Sequence, residues 1–262
     1  MELKGKTALV FGAAGQVGSA VAKVFAREGA SVHLSGPNLG AVENLAATLR
    51  ADGAKASAYK VDATADDEVL RHTDEVAASD TGIDIVFNAM GVDGAEIVAP
   101  SLDVGTDRFM HYLARMVPSQ FLTARAAARH MVRQGRGVVV LLGATPSAGV
   151  APFIAGASAA HAAIDGLARC LATEWSPSGV RVVCFRSAGM SDSRRIQSVL
   201  SSMADLAGAP LEMFLQGAQQ KPLLRRMSTL AEAAEAIGFL ASDRASTITG
   251  AIVNGSCGEV LD

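Results

Sequence analysis

The sequence predicts one α/β domain in which a doubly wound, mainly parallel sheet of about seven strands is covered by helices on both faces. Short apolar runs of strand length alternate with longer segments of helical periodicity along all 262 residues. Half of the residues are hydrophobic and only 19% are charged, which supplies a large core. No internal repeat or low-complexity linker divides this pattern, so residues 1–262 are predicted to form a single domain.

The first half of the chain is predicted to alternate strand and helix. The apolar run 7–11 ends at a glycine and predicts a strand, and apolar residues three and four apart then predict a helix over 17–27. The same reasoning predicts strands at 31–34, 56–61 and 83–87 and helices at 39–51 and 66–78. The hydrophobicity of 83–87 is typical of a strand buried on both faces of a parallel sheet.

The second half begins with a long predicted helix over 106–133, which Pro118 is expected to kink or break because proline lacks an amide proton. Further strands are predicted at 138–142, 180–185 and 251–253, and helices at 153–175 and 230–241. The segment 191–220 is less regular and is predicted to form a mobile pair of helices over a site. Residues from about 190 to 222, which include this segment, are predicted to form a substrate lid.

Composition and charge argue against several classes of protein. The net charge of −3 comes from acidic and basic residues scattered through the chain, which does not favour binding to nucleic acid or to an anionic membrane. The start lacks the apolar segment of a secretory signal, and two prolines interrupt the longest uncharged run, so we expect no membrane span. Three widely spaced cysteines predict neither a metal site nor a disulfide framework, and they favour a reducing, cytoplasmic location.

Glycine-rich and polar segments follow the predicted strands, at the edge where parallel sheets bind ligands. Residues 11–18 read F-G-A-A-G-Q-V-G, and glycine at such a turn lets backbone N–H groups and a helix N-terminus approach a pyrophosphate. Residues 35–38 offer neither the carboxylate that would bind a ribose hydroxyl nor the arginine that would bind a 2′-phosphate. The choice between NAD and NADP therefore stays open.

These segments resemble those of the short-chain dehydrogenase/reductase family. The turn at 11–18 resembles T-G-x-x-x-G-x-G, with Phe11 at the threonine and Gln16 at the middle glycine, and N-A-M-G at 88–91 resembles N-N-A-G. The resemblance covers essentially the whole chain and implies a Rossmann-type fold that binds NAD or NADP. The cofactor-binding positions that it implies are Gly12, Gln16, Val17, Gly18, Asp62, Asn88, Gly91 and Gly189.

The catalytic positions of that family carry other side chains here. The family uses an asparagine, a serine, a tyrosine and a lysine, and the flanking residues place at these positions Met116, Ala144, Ala157 and His161. Alanine can neither transfer a proton nor stabilise an oxyanion. The usual mechanism of the family is therefore predicted not to operate.

Two residues are candidates to replace the missing groups. Histidine ordinarily titrates near neutral pH, so His161 is a candidate general acid or base. Tyr112 lies one helical turn before Met116 and therefore shares its helix face. The simpler interpretation of both is structural, since His161 would pack among alanines and Tyr112 would fill space between helices.

Three functions are compatible with these positions. The resemblance favours an NAD(P)-binding oxidoreductase that acts on a small apolar substrate without the usual tyrosine and lysine pair. The alternatives are a non-redox cyclase, isomerase or lyase, and a catalytically silent partner of an active relative. The resemblance also implies association through 155–168 and the long helix before them, where small residues let helices approach closely, so we expect a homo-oligomer, either a dimer or a tetramer, and a hetero-oligomer also fits.

Overall fold

Seven parallel strands form the sheet of this computed structural model, which describes residues 1–261 apart from the side chain of Ala95. The strands are β1 (Thr7–Phe11), β2 (Ser31–Gly36), β3 (Ala56–Lys60), β4 (Ile85–Asn88), β5 (Gly137–Ala144), β6 (Val180–Ser187) and β7 (Ile252–Gly255). Their spatial order is β3-β2-β1-β4-β5-β6-β7. The chain reverses its direction of winding between β1 and β4, which makes their carboxyl ends the expected binding crevice.

The helices cover both faces of the sheet, as predicted. They are α1 (Gln16–Arg27), α2 (Leu39–Ala51), α3 (Asp66–Ser79), α4 (Gly94–Ile97), α5 (Thr106–Gln134), α6 (Ala155–Trp175), α7 (Arg194–Ala207), α8 (Leu211–Gln220) and α9 (Leu230–Ala241). One core lies between the sheet and α1, α2 and α9, and the other lies between the sheet and α3, α5 and α6. The doubly wound, Rossmann-type fold is thereby confirmed.

The central strands are largely apolar because both of their faces are covered. All five residues of β1 are buried, with Val10 in one core and Leu9 in the other. Across residues 1–261, no helix is long and apolar enough to cross a membrane.

A third apolar cluster lies apart from the two cores. It joins α5, α6 and α7 with the loop after β4, and we name it the edge cluster. Its buried members are Val92, Val98, Tyr112, Met116, Ile154, Ala157, Ala160, Leu200 and Met203.

Two local predictions differ from the structure. The strand predicted from residue 83 begins at Ile85, because the backbone N–H of Ile83 donates to the Gln134 side chain at 2.9 Å and not to a neighbouring strand. Of the kink or break expected at Pro118, the break is wrong, since α5 runs through it. Pro118 and Ala114, the residue one turn before it, are both exposed, so water can satisfy the carbonyl that proline leaves without a donor.

The segment predicted as a pair of helices forms α7 and α8. The hydroxyl of Ser193 accepts a hydrogen bond from the backbone N–H of Ile196 at 3.3 Å and caps the start of α7. Gly208 ends α7 in the left-handed conformation. The Ser193 cap separates α7 from β6, and Gly208 separates α7 from α8.

Candidate active site

The turn between β1 and α1 requires glycine at two of the cofactor positions. Gly12 has a φ of 67°, and a Cβ there would lie 2.7 Å from the backbone nitrogen of Met90. A Cβ on Gly18 would clash with the carbonyl oxygen of Gly12, because α1 packs directly against the turn. Side chains are therefore excluded from both positions by the protein itself.

The N-terminus of α1 is open to an anion. Gln16, Val17 and Gly18 are its first three residues, and their N–H groups have no partner within the helix. Among the described residues, no side chain caps this end and no acidic residue occupies its first turn. The Val17 side chain packs against the core, so Val17 offers only its backbone. This arrangement fits the pyrophosphate of a dinucleotide.

Gln16 connects this turn to α7. Its Oε1 accepts a hydrogen bond of 2.8 Å from the backbone N–H of Arg194, the first residue of α7. The side chain that replaces the middle glycine of the family turn therefore reaches across the crevice. It holds the start of α7 beside the start of α1.

Asp62, which closely follows β3, organises the turn before α3. Its Oδ1 accepts hydrogen bonds from the backbone N–H and the hydroxyl of Thr64 at 2.9 and 2.7 Å. These bonds hold the pKa of Asp62 below its usual value. Asp62 is therefore a half-buried carboxylate at neutral pH.

Asn88 anchors the end of β4 to α5. Its Nδ2 donates to the carbonyl of Ser119 at 2.9 Å and to the hydroxyl of Thr123 at 3.2 Å. Its Oδ1 accepts from the backbone N–H of Met90 at 2.8 Å. The buried Asn88 side chain thus sets the shape of the loop that leads to Gly91.

The four positions at which the resemblance places the family's catalytic groups lie on elements that meet at this edge. Ala144 ends β5, Met116 lies on α5, and Ala157 and His161 lie one turn apart on α6. Met116 and Ala157 are buried members of the edge cluster. Three of the four positions therefore present apolar atoms.

The two candidate catalytic residues are in direct contact. Tyr112 and His161 are both buried, and the phenol oxygen lies 3.0 Å from Nε2 of the imidazole. Arg195 on α7 donates from Nη2 to the same oxygen at 2.8 Å, and its guanidinium carbon lies 5.7 Å from the centre of the Tyr112 ring. We name these three residues the Tyr112 cluster.

Burial determines the charges of this cluster. It raises the pKa of Tyr112, while the Arg195 cation acts in the opposite direction. It lowers the pKa of His161 to about 4, Arg195 lowers that pKa further, and Asp165 raises it. At neutral pH the cluster therefore consists of a phenol, a neutral imidazole and one guanidinium cation.

The environment of His161 favours one tautomer. Its Nδ1 is buried and has no hydrogen-bond partner in the part of the chain that is described. Buried N–H groups without an acceptor are rarer in proteins than acceptors with an unused lone pair, so the proton is favoured on Nε2. His161 then donates to Tyr112, whose oxygen accepts from both His161 and Arg195 while its own proton points elsewhere.

Arg195 has no distinguishing mark in the sequence, because it is the second of two adjacent arginines at a helix start. The cap at Ser193 sets the helical phase that turns Arg195 inward and leaves Arg194 exposed. A Cβ on Gly91 would clash with Nη1 of Arg195, so this glycine makes room for the guanidinium.

A buried ion pair lies near His161 and is also invisible in the sequence pattern. Asp165 is one helical turn further along α6, and its Oδ2 lies 2.8 Å from Nη2 of Arg186 on β6. The Cys184 thiol lies 3.8 Å from the other carboxylate oxygen, and burial raises its pKa far above the usual value. The ion pair joins α6 to β6, and Cys184 is an unreactive thiol.

Gly189 forms the turn that leads into α7. It has a φ of 92°, and a Cβ there would lie 2.9 Å from Cδ1 of Ile196. Its backbone N–H donates to the hydroxyl of Ser187 at 3.0 Å. This turn brings α7 over the carboxyl ends of the strands.

A cavity of about 380 Å³ lies at the opposite edge of the sheet, where its lining includes Lys6, Asp84 and Arg136. Lys6 pairs with Asp243 and Arg136 with Asp84, and the guanidinium of Arg181 donates to backbone carbonyls. Parallel sheets bind their ligands beyond the carboxyl ends of the strands. The Tyr112 cluster, and not this cavity, is therefore the candidate functional site.

Known proteins match this chain over nearly its whole length. A family model described as enoyl-(acyl carrier protein) reductase matches residues 12–258. Cis-4-hydroxycyclohexanecarboxylate dehydrogenase from Sinomonas cyclohexanicum is 31% identical over 252 residues, which are 95% of this chain and 94% of the relative. Gluconate 5-dehydrogenase from Gluconobacter oxydans is 34% identical over 183 residues, which are 69% of each chain.

Solved structures share the fold and the family. An NAD⁺-bound xylitol dehydrogenase is 27% identical and superposes with a TM-score of 0.91 over 97% of this chain and 98% of its own. A short-chain type dehydrogenase/reductase from Mycobacterium marinum is 26% identical, with a TM-score of 0.83 over 100% of this chain and 97% of its own. Together with the glycine turn and the seven-stranded parallel sheet, these matches show that the chain belongs to the short-chain dehydrogenase/reductase family of oxidoreductases.

Proposed function

We propose that this chain is an NAD(P)-dependent reductase of a small, largely apolar substrate, in which Tyr112 transfers the proton that the missing tyrosine and lysine of the family would handle. The observation that carries the proposal is the position of the phenol oxygen, 2.8 Å from a guanidinium nitrogen and 3.0 Å from an imidazole nitrogen. A phenol beside a cation is the pairing that the family builds from other residues.

The dinucleotide part of the proposal rests on the turn before α1. The open N-terminus of α1 and the close packing at Gly12 and Gly18 suit a pyrophosphate. The relative solved with NAD⁺ supports the same class of cofactor. A bound nicotinamide ring would supply or accept hydride, and both NAD and NADP fit this statement.

Proton transfer is the task of the Tyr112 cluster. Because burial raises the pKa of Tyr112, the group is a phenol at neutral pH and can donate a proton to a substrate oxygen. The phenolate left behind is stabilised by Arg195 and by the Nε2–H of His161. In the oxidative direction the same atoms would receive the proton.

The edge cluster indicates the substrate. Tyr112 lies among apolar side chains from three helices and a loop, so a substrate beside it would be largely in contact with carbon atoms. An apolar body with one reducible group fits this surface. We infer the lid role of 190–222 from the same contacts, since Leu200 and Met203 of α7 form one wall.

Titration with NADH and with NADPH tests the cofactor. Binding of either should enhance and blue-shift nicotinamide fluorescence in a saturable manner. If neither dinucleotide binds, the proposal is wrong.

The chain has only two tyrosines, which gives a matched pair of variants for the proton donor. Tyr112→Phe should lower kcat by about 10²- to 10⁴-fold in nicotinamide-linked assays with small ketones and enones. Tyr59→Phe, which removes the same kind of hydroxyl from its contact with His33 on β2, should leave kcat unchanged. Equal rates in wild type and Tyr112→Phe would exclude Tyr112 as the donor.

A further inference from the structure

The guanidinium of Arg195 has more donors than partners. An arginine carries five N–H donors, and the bond that the structure gives to this side chain is the one from Nη2 to Tyr112. Within the described residues, no carboxylate lies within ion-pair distance of Arg195. Arg186, by contrast, is paired with Asp165 at the same end of the sheet.

The surroundings of Arg195 make this uncompensated charge costly. The residue is half-buried, and its guanidinium lies against the Tyr112 ring and Gly91 at the border of the edge cluster. A cation in such a place is stabilised when an anion arrives. Its planar fork matches a carboxylate, which can accept two parallel hydrogen bonds.

The position of the guanidinium indicates a substrate group and not a cofactor phosphate. The open helix N-terminus that suits the pyrophosphate begins at Gln16, which contacts the backbone of Arg194. The Arg195 side chain turns from there toward Tyr112, and therefore toward the proposed reacting oxygen.

We propose that the substrate is a small apolar oxo acid whose carboxylate is bound by Arg195 while its carbonyl oxygen faces Tyr112. This inference rests on the proposed function of the same site. Because Arg195 and Tyr112 are directly hydrogen-bonded, the carboxylate and the carbonyl must be only a few bonds apart. The hydroxy acid is the corresponding product.

The test compares two ligands of the same shape that differ in charge. Hexanoate and hexanamide are titrated against the wild-type protein by ligand-observed NMR, with and without saturating NADP⁺ or NAD⁺. Wild type should bind hexanoate about tenfold more tightly than hexanamide. Arg195→Gln should abolish this preference, and Arg195→Lys should retain part of it.

The adjacent arginine is the matched control. Arg194→Gln removes the same charge from the exposed side of α7 and should keep the preference for hexanoate. Equal binding of the two ligands by wild type, no binding of either, or an unchanged preference in Arg195→Gln would overturn the proposal. Circular dichroism establishes that each variant is folded.

The same variants separate this inference from the proposed function. NADH and NADPH affinities should be unchanged in Arg195→Gln. If that variant loses dinucleotide affinity and keeps its preference for hexanoate, Arg195 serves a cofactor phosphate and the inference is wrong. If wild type binds no dinucleotide but prefers hexanoate, the cofactor proposal fails and the carboxylate site stands.

Discussion

At the scale of single residues, the carboxyl edge combines apolar side chains at the expected catalytic positions with polar groups from neighbouring helices. Met116, Ala144 and Ala157 present no group that transfers a proton. A phenol comes instead from α5 and a cation from α7. The family resemblance identifies His161 from the sequence and helical spacing identifies Tyr112. No local pattern joins position 195 to them, because that contact depends on how α7 folds back over the sheet.

Two buried histidines make stability depend on pH. Burial lowers the pKa of His72 and of His161 to about 4, whereas both titrate near about 6.5 in the unfolded chain. Between these values the unfolded state binds more protons, so the free energy of unfolding falls as the pH falls from 6.5 toward 4. Each histidine should contribute a loss of roughly 3 kcal/mol by pH 4.

Urea unfolding at pH 7 and pH 5 measures this effect. His72 packs between Phe11 and Tyr59, and neither of its ring nitrogens has a partner among the described residues, so His72→Phe suits its site. Between pH 7 and pH 5, the free energy of unfolding of this variant should fall by roughly 2 kcal/mol less than that of wild type. The exposed His111→Gln is the control, and an unchanged pH slope in His72→Phe would contradict the prediction.

At the scale of elements, α7 is held from several directions. Gln16 binds its first backbone N–H, the Tyr112 phenol binds Arg195, and Leu200 and Met203 pack into the edge cluster. Such a helix can close a site and still move, because its polar contacts are few and lie at one end.

Removing the Gln16 amide should loosen the start of α7. One hydrogen bond contributes about 1 kcal/mol, so amide exchange at Arg194 should be about fivefold faster in Gln16→Ala. Hydrogen exchange followed by mass spectrometry measures this rate over the first turn of α7. Gln197→Ala, the same substitution on the exposed face of α7, should have no such effect. Equal exchange in the two variants would contradict a role for Gln16.

Most elements follow from periodicity in the sequence, and the exceptions have physical causes. α4 spans four residues, which is too short to show a helical repeat. The start of β4 depends on the distant Gln134, and the continuity of α5 at Pro118 depends on solvent at one carbonyl. A local sequence pattern shows neither contacts between distant residues nor exposure to water.

At the scale of the whole molecule, the sheet leaves part of α6 uncovered. Ala162, Ala163 and Gly166 are exposed small residues on one side of this helix. Small residues allow two helices to approach closely, and we expect this face to join two copies of the chain. We therefore propose that the homo-oligomer expected from the sequence forms through this face of α6.

A charge on this face should separate the copies. Ala163→Glu would bury an unpaired carboxylate at the contact and should weaken association at least about tenfold. Size-exclusion chromatography with light scattering measures the mass of wild type and variant. Ala47→Glu places the same charge on an exposed position of α2 and should not change the mass. A monomeric wild type would contradict the prediction.

The bridge from Gln16 to Arg194 connects the two proposed ligand sites, so we expect their affinities to depend on each other. An anion at the start of α1 acts on the residue that holds α7, and α7 carries the guanidinium beside Tyr112. By thermodynamic reciprocity, the factor by which the dinucleotide changes the affinity for substrate equals the factor by which substrate changes the affinity for the dinucleotide. Titrations of hexanoate with and without saturating dinucleotide, and of dinucleotide with and without saturating hexanoate, should therefore give the same ratio of affinities.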